Sequence, residues 1–376
     1  MSKRVAKLIA VGACVLIVAL GGCQATSPAA QPGGAAPAPA QGQVLAQPGA
    51  NGLPVAGVSY PTPQASGPEA SARCKIAYVN DAGFFWYEPS TGTRQALAPL
   101  QPKTFAGSPA VSPDGKHIVY SLNDTEKAAQ KHDNGTDLYV MDADGKNVRL
   151  LVEHGQVGSW LGEPTWMPDG KSVFFTRRDA HGAETIERVD VATGKTQVVL
   201  QDAATPTISP DGKHIAYLKT DPQAFTQDLW VSNLDGSGAK RLLGDPEFTS
   251  LIAPRFAPDS QRINFVAVGG PDRAPVQRPQ ASRFDPLAWL RPAVAEAHAV
   301  PYNLWTVNVD GSNITRLTND LEIDSPVTAW SPDGKWIAFM GDLGMYLIDS
   351  KNGQQLRYLG KEFAVGGMDW PSCSGG

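Results

Sequence analysis

Val111-Ser112-Pro113-Asp114-Gly115 runs directly into Lys116-His117-Ile118-Val119-Tyr120. Proline presets φ, the aspartate side chain bonds nearby backbone amides, and glycine accepts the left-handed conformation that closes a bulged hairpin. The β-branched and aromatic residues that follow favour a strand. The pattern therefore predicts one strand, a tight turn and an antiparallel partner.

The same words recur down the chain as Trp166-Met167-Pro168-Asp169-Gly170, Ile208-Ser209-Pro210-Asp211-Gly212, Phe256-Ala257-Pro258-Asp259-Ser260 and Trp330-Ser331-Pro332-Asp333-Gly334, with a degraded copy at Trp370-Pro371-Ser372-Cys373. Further strands end on a second hairpin signal, as in Asp137-Leu138-Tyr139-Val140-Met141-Asp142-Ala143-Asp144-Gly145 and Asp228-Leu229-Trp230-Val231-Ser232-Asn233-Leu234-Asp235-Gly236. Arg149-Leu150-Leu151-Val152 and Arg241-Leu242-Leu243 supply fourth strands. A four-stranded antiparallel unit repeated at this spacing is a propeller blade.

Six first strands are present, and nothing follows the sixth, Gly367-Met368-Asp369-Trp370, that would complete its blade. Its partners stand at the other end, in Cys74-Lys75-Ile76-Ala77-Tyr78-Val79, Gly83-Phe84-Phe85-Trp86-Tyr87 and Gln95-Ala96-Leu97. The expected fold is all-β: a six-bladed β-propeller of four-stranded antiparallel blades over residues 74–376, its last blade shared by the N- and C-termini. Cys74 and Cys373 fall where that blade lacks its turn, which predicts a disulfide between them.

These residues resemble the TolB-type propeller repeat, with its Trp-Ser-Pro-Asp-Gly turn, Ile-Ala-Phe strand and Leu-Tyr-Val strand closing on Asp-Gly. Met167, Ala257 and Ser260 depart from that pattern without breaking it. The resemblance implies a role among envelope proteins, but a shared fold does not fix function.

The N-terminus carries Lys3, Arg4 and Lys7 ahead of an apolar run from Leu8 to Leu20, the pattern of an export signal. Leu20-Gly21-Gly22-Cys23 resembles the lipobox of bacterial lipoproteins, which implies a signal peptide over 1–22 and lipidation of Cys23; Gln24 in place of Asp implies sorting to an outer membrane where the cell has one. Residues 23–73 then form a tether rich in Pro, Ala and Gly, with nine prolines and no apolar periodicity to offset the entropy of ordering. Losing three positive charges with the signal moves the net charge from −5 to −5 − 3 = −8. That balance argues against nucleic acid as a partner and leaves the lipid as the sole expected membrane contact.

Material has been added between the turn prolines Pro258 and Pro332, 74 residues apart where the other intervals run from 39 to 55. The addition is an insertion at about 269–301 in the fifth repeat counted from Cys74, with a short helix expected over Pro286 to His298. It and the loop from Ser121 to Thr136 lie on the face carrying the variable loops, opposite the Pro-Asp-Gly turns and the entering tether. Long loops on a rigid scaffold are candidates for partner contact.

No catalytic motif emerges. Gly194-Lys195-Thr196 is a hairpin turn because Val189 stands where a phosphate loop needs its first glycine, and Asp142-Ala143-Asp144-Gly145 lacks the first and twelfth ligands of a calcium loop. His132, His154, His181 and His298 have no metal-ligand spacing, so neither metal nor cofactor is expected. The first strands should line a central channel, bringing Glu163, Arg255 and Asp369 near one axis, with Trp160, Phe284 and Trp289 offering aromatic surface from loops. The reading is a monomeric, non-catalytic module that binds an envelope protein, peptide or glycan through the variable-loop face. The alternative is a hydrolase or lyase acting on an extracellular polymer through acidic residues at the channel, which would need two carboxylates free for chemistry.

Overall fold

In the computed structural model, the described residues are 74–372 without 222–225, 272–301, 320–322, 324, 342 and 365. The chain enters as β1 (Ile76–Asn80), β2 (Gly83–Glu88) and β3 (Thr93–Pro99). The second blade is β4 (Thr104–Val111), β5 (His117–Asp124), β6 (Asp137–Asp142) and β7 (Arg149–Val152), and the third is β8 (Trp160–Trp166), β9 (Ser172–Arg178), β10 (Glu184–Asp190) and β11 (Thr196–Gln201). The fourth comprises β12 (Ala204–Ile208), β13 (His214–Asp221), β14 (Thr226–Asn233) and β15 (Lys240–Leu243). The fifth comprises β16 (Phe248–Phe256), β17 (Arg262–Gly269), β18 (Asn303–Asn308) and β19 (Thr315–Arg316). The sixth is β20 (Ser325–Trp330), β21 (Trp336–Gly341), β22 (Gly344–Asp349) and β23 (Leu356–Gly360), and β24 (Met368–Asp369) completes the first.

Each sheet is four-stranded, and the first has the order β24-β1-β2-β3. Met368 and Asp369 pair antiparallel with Tyr78 and Ala77, so the two chain ends share a blade, as the repeat count requires. Cys74 is buried and disulfide-bonded, its carbonyl accepting the indole N–H of Trp370 at 3.1 Å. Cys373 lies outside the described residues, as do Cys23, the signal, the tether, and Phe284 and Trp289 with the helix expected beside them.

Period-two alternation sends neighbouring side chains of one strand into different inter-blade layers. Ile118 and Tyr120 pack with Phe84 and Trp86 of the first blade, whereas Val119 between them packs with Leu161 and Phe175 of the third. Six such apolar layers are found, one per blade interface.

The turns form as their residues dictate. Asp114, Asp211 and Asp333 each accept the backbone N–H two residues on, at 3.1 Å, and Gly115, Gly212 and Gly334 take φ of 70, 71 and 68°. The serine hydroxyl bonds the aspartate at 2.6 to 2.7 Å and holds Asp114 and Asp211 below the usual carboxylate range. At the departure from the repeat, Ser260 adopts φ 59°, and its hydroxyl accepts the Asp211 N–H of the preceding blade at 3.1 Å.

The expected loop from Ser121 to Thr136 contains more order than its sequence suggests. β5 continues to Asp124, and a helix, α1 (Thr125–Lys131), follows. Asp124 accepts the Glu126 N–H at 3.1 Å, the side-chain capping that starts a short helix, with Glu126 acidic in its first turn.

Candidate functional site at the channel mouth

Every first strand from the second to the sixth blade bends at a register shift, between Gly107 and Ala110, Gly162 and Thr165, Ala204 and Thr207, Ile252 and Arg255, and Ser325 and Thr328. In four of them a left-handed residue precedes proline: Ser108 (φ 50°), Glu163 (54°), Thr205 (55°) and Ala253 (52°). Holding a non-glycine residue there costs about 1–2 kcal/mol, and the bulge uses it to re-aim the strand beside the axis.

Past the bulge, one slot repeats in all six blades: Ala110, Thr165, Thr207, Arg255, Ala329 and Asp369 each precede the buried residue that opens the turn region. Two of these side chains stitch neighbouring blades. Thr207 accepts the Phe256 N–H at 3.1 Å, and Asp369 accepts the Val111 N–H at 2.7 Å. Glu163, on the left-handed corner of β8, accepts the Thr176 hydroxyl at 2.8 Å; that threonine in turn accepts the Thr205 N–H at 2.8 Å.

Glu163, Arg255 and Asp369 come from the third, fifth and first blades, at alternate positions around the ring. Burial lowers the affinity of the Arg255 guanidinium for its proton, and Asp369 and then Glu163 oppose that effect, so the cation lies within the field of both carboxylates. Burial likewise pushes the Asp369 carboxyl up, against its bond from Val111 and the charge of Arg255. Yet Arg255 forms no ion pair within 4.0 Å among the described residues, and the one hydrogen bond its guanidinium makes there is from Nη1 to the Pro254 carbonyl at 3.3 Å. The three charges expected from sequence to converge therefore share one electrostatic environment without collapsing into direct contact.

Trp160 differs from the expected loop aromatic. It is the first residue of β8; the Arg178 guanidinium covers its ring at 5.4 Å, and its ring occupies the space a Cβ on Gly162 would need. Its backbone pairs with Arg178, and Gly162 leaves room for the ring, so Trp160 stands on the first strand of the third blade and not in a loop.

Residues 67–242 match the family model of the TolB beta propeller domain. The chain carries the TolB-type propeller repeat. It is 32% identical over 128 residues to the Tol-Pal system protein TolB of Anaeromyxobacter dehalogenans (strain 2CP-C), an overlap of 32% of this chain and 27% of that protein. The TolB of Francisella tularensis subsp. tularensis (strain WY96-3418) is 26% identical over 109 residues, 28% of this chain and 24% of the relative. The matched stretch thus spans about a quarter of the length of these curated relatives. Among solved structures, TolB from Acinetobacter baumannii superposes with a TM-score of 0.58 at 17% identity, covering 80% of this chain and 67% of that one. A chain of the nidogen/laminin complex gives 0.54 at 11% identity, covering 78% and 97%. At these identities the likeness is one of fold.

On the variable-loop face of this TolB-type propeller, Phe105, Val157 and Phe363 are exposed large apolar side chains. Each of the two phenylalanines stands three residues before one partner of the bond that the Ser108 N–H donates to the Gly366 carbonyl at 2.6 Å. On the same face a charged clamp joins the connection after α1 to the loop between β7 and β8. His154 places Nδ1 2.5 Å from Asp137 Oδ1 and Nε2 2.7 Å from Asp133 Oδ2. Burial works against the charged ring, but the two carboxylates outweigh it and raise the His154 pKa. Asp133 is drawn down to about 2, first by the Gly158 N–H and then by His154. Nothing in local sequence marks this clamp, because its three members meet only when two loops of the TolB-type blades are brought together.

Proposed function

We propose that this chain is a lipid-anchored, extracytoplasmic TolB-type propeller that acts as a non-catalytic binding module, taking a protein or peptide partner of the cell envelope on its variable-loop face. The observation that carries this reading is the exposure of Phe105 and Phe363, large aromatic side chains on that face. Aromatic side chains on a rigid scaffold anchor partners at little entropic cost. The naming of the curated relatives after the Tol-Pal system supports a protein partner.

Both channel carboxylates already hold the scaffold together, Glu163 through Thr176 and Asp369 through Val111. The two come from the third and first blades and each commits one oxygen to the scaffold, which favours a positioning and binding role over a paired catalytic acid and base. Cys23 is the proposed lipid-bearing residue and Cys373 the proposed partner of Cys74.

The test is capture from an envelope extract by the domain starting at residue 74. The Phe105→Ser/Phe363→Ser double variant should lose a partner that the wild type and Val198→Ser, altered on an outer strand, both retain. Equal capture by all three would sink the reading. For the anchor, Cys23→Ser should move the protein from the membrane to the soluble fraction.

A further inference from the structure

The channel mouth is polarised across its axis. Arg255 enters from the fifth blade; the Asp369 carboxylate reaches the Val111 N–H of the second blade, directly opposite, and Glu163 lies on the adjoining third. Each carboxylate spends one oxygen on the scaffold, Oδ2 of Asp369 on Val111 and Oε2 of Glu163 on Thr176. A guanidinium has five N–H donors, and Arg255 uses one among the described residues.

A second unmet group stands beside it. Asn264 is the register partner of Arg255 and is fully buried; its Nδ2 donates to Thr328 Oγ1 at 2.9 Å, while its Oδ1 has no partner among the described residues. A buried acceptor without a donor costs free energy until a donor arrives. The fifth-blade side thus offers spare guanidinium donors, and the other side offers carboxylate oxygens.

We propose that this channel mouth is a receptor for a zwitterion, an ammonium beside a carboxylate, as in a free α-amino acid. The ligand carboxylate takes the Arg255 guanidinium, whose planar fork matches it in two parallel bonds. The ammonium is held by Asp369 and Glu163 across the channel. A simple anion would be repelled by the two carboxylates and a simple cation by Arg255, so the arrangement selects ligands carrying both charges close together. The inference is separate from the partner surface of the variable-loop face: Arg255 and Asp369 stand at the turn end of their first strands, and it names a ligand class for that end of the channel.

The experiment is calorimetric titration of the domain starting at residue 74 with glycine and L-alanine, using acetate and methylammonium as single-charge controls. The zwitterions should bind at least about tenfold more tightly than either control, and Arg255→Gln should weaken them by about tenfold or more. Arg255→Lys, which keeps the charge but not the fork, should fall between. Circular dichroism of each variant establishes that it folds. Absence of zwitterion binding to the folded wild type, or binding unchanged in folded Arg255→Gln, overturns the inference. Partner capture measured on the same samples separates the two proposals: loss of the zwitterion with capture intact removes only this inference, and loss of Phe105/Phe363-dependent capture with the zwitterion still bound removes only the partner-binding role.

Discussion

The carboxylate of Asp369, on the last strand of the chain, accepts the backbone N–H of Val111, on the first strand of the second blade, at 2.7 Å. One contact thus joins the strand that completes the ring to its neighbour. Asp369→Ala leaves that enclosed N–H without an acceptor and should cost about 1–3 kcal/mol in urea denaturation. Asp369→Asn keeps an acceptor oxygen and should cost clearly less; equal losses would show that the acceptor is not what matters.

His154 gives stability a defined slope with pH. Both ring nitrogens face carboxylate oxygens, and only the doubly protonated ring donates to both. Its folded pKa is raised, so the clamp's contribution is complete below the unfolded value of about 6.5 and is lost as pH rises through the folded value. Arg177, paired with Glu187 at 2.7 Å, donates to the His154 carbonyl. Melting temperature should therefore fall across this window in the wild type, and the gap between wild type and His154→Gln should narrow as pH rises. A constant gap would exclude the imidazolium.

Asp133 works in the opposite direction. Its carboxyl is depressed to about 2, so its contribution is present above the unfolded value of 3.8 and disappears as pH falls through the folded one. Asp133→Asn should flatten the acid limb of the stability profile, and exchange at the Gly158 amide should quicken because its acceptor is weakened.

Ser260 separates strain from bonding. Ser260→Ala keeps the left-handed backbone and loses the bond from the Asp211 N–H, so it should destabilise by about 1 kcal/mol. Ser260→Gly loses the same bond but relieves about 1–2 kcal/mol of conformational strain, and should be near neutral. The order of the two midpoints in denaturant is the readout.

Joining Cys74 to Cys373 carries its own expectation. Non-reducing peptide mapping should recover the two cysteines in one linked fragment, and Cys373→Ser should lower stability by roughly 2–4 kcal/mol. Recovery of Cys373 as a free thiol from the native protein would exclude the pairing.

The blade count and shared blade were legible because Pro-Asp-Gly hairpins are local chemistry repeated in register. For the same reason Arg255 and Asp369 could be read as equivalents in the repeat, each just before the residue that opens the turn region, whereas Glu163 stands two residues upstream of its blade's counterpart, Thr165. The sequence did not show that Thr176 and Val111 each engage one oxygen of the two carboxylates, since those bonds depend on bulges and on neighbouring blades. Trp160 read as a loop residue because the strand begins there, with no turn signal to mark the boundary. The His154 clamp was illegible, as residues 133, 137 and 154 share no periodicity and are united by two loops meeting in space.

The repeating slot that holds Ala110, Thr165, Thr207, Arg255, Ala329 and Asp369 works like a six-place dial around a common centre. Places whose side chains bond no neighbouring blade, such as Ala110 and Ala329, can change while the turn and the inter-blade layers behind them stay as they are, whereas Thr207 and Asp369 are tied to the scaffold. Ligand preference in such a ring can drift one blade at a time, so two propellers with the same skeleton need share nothing of what they hold at the hub.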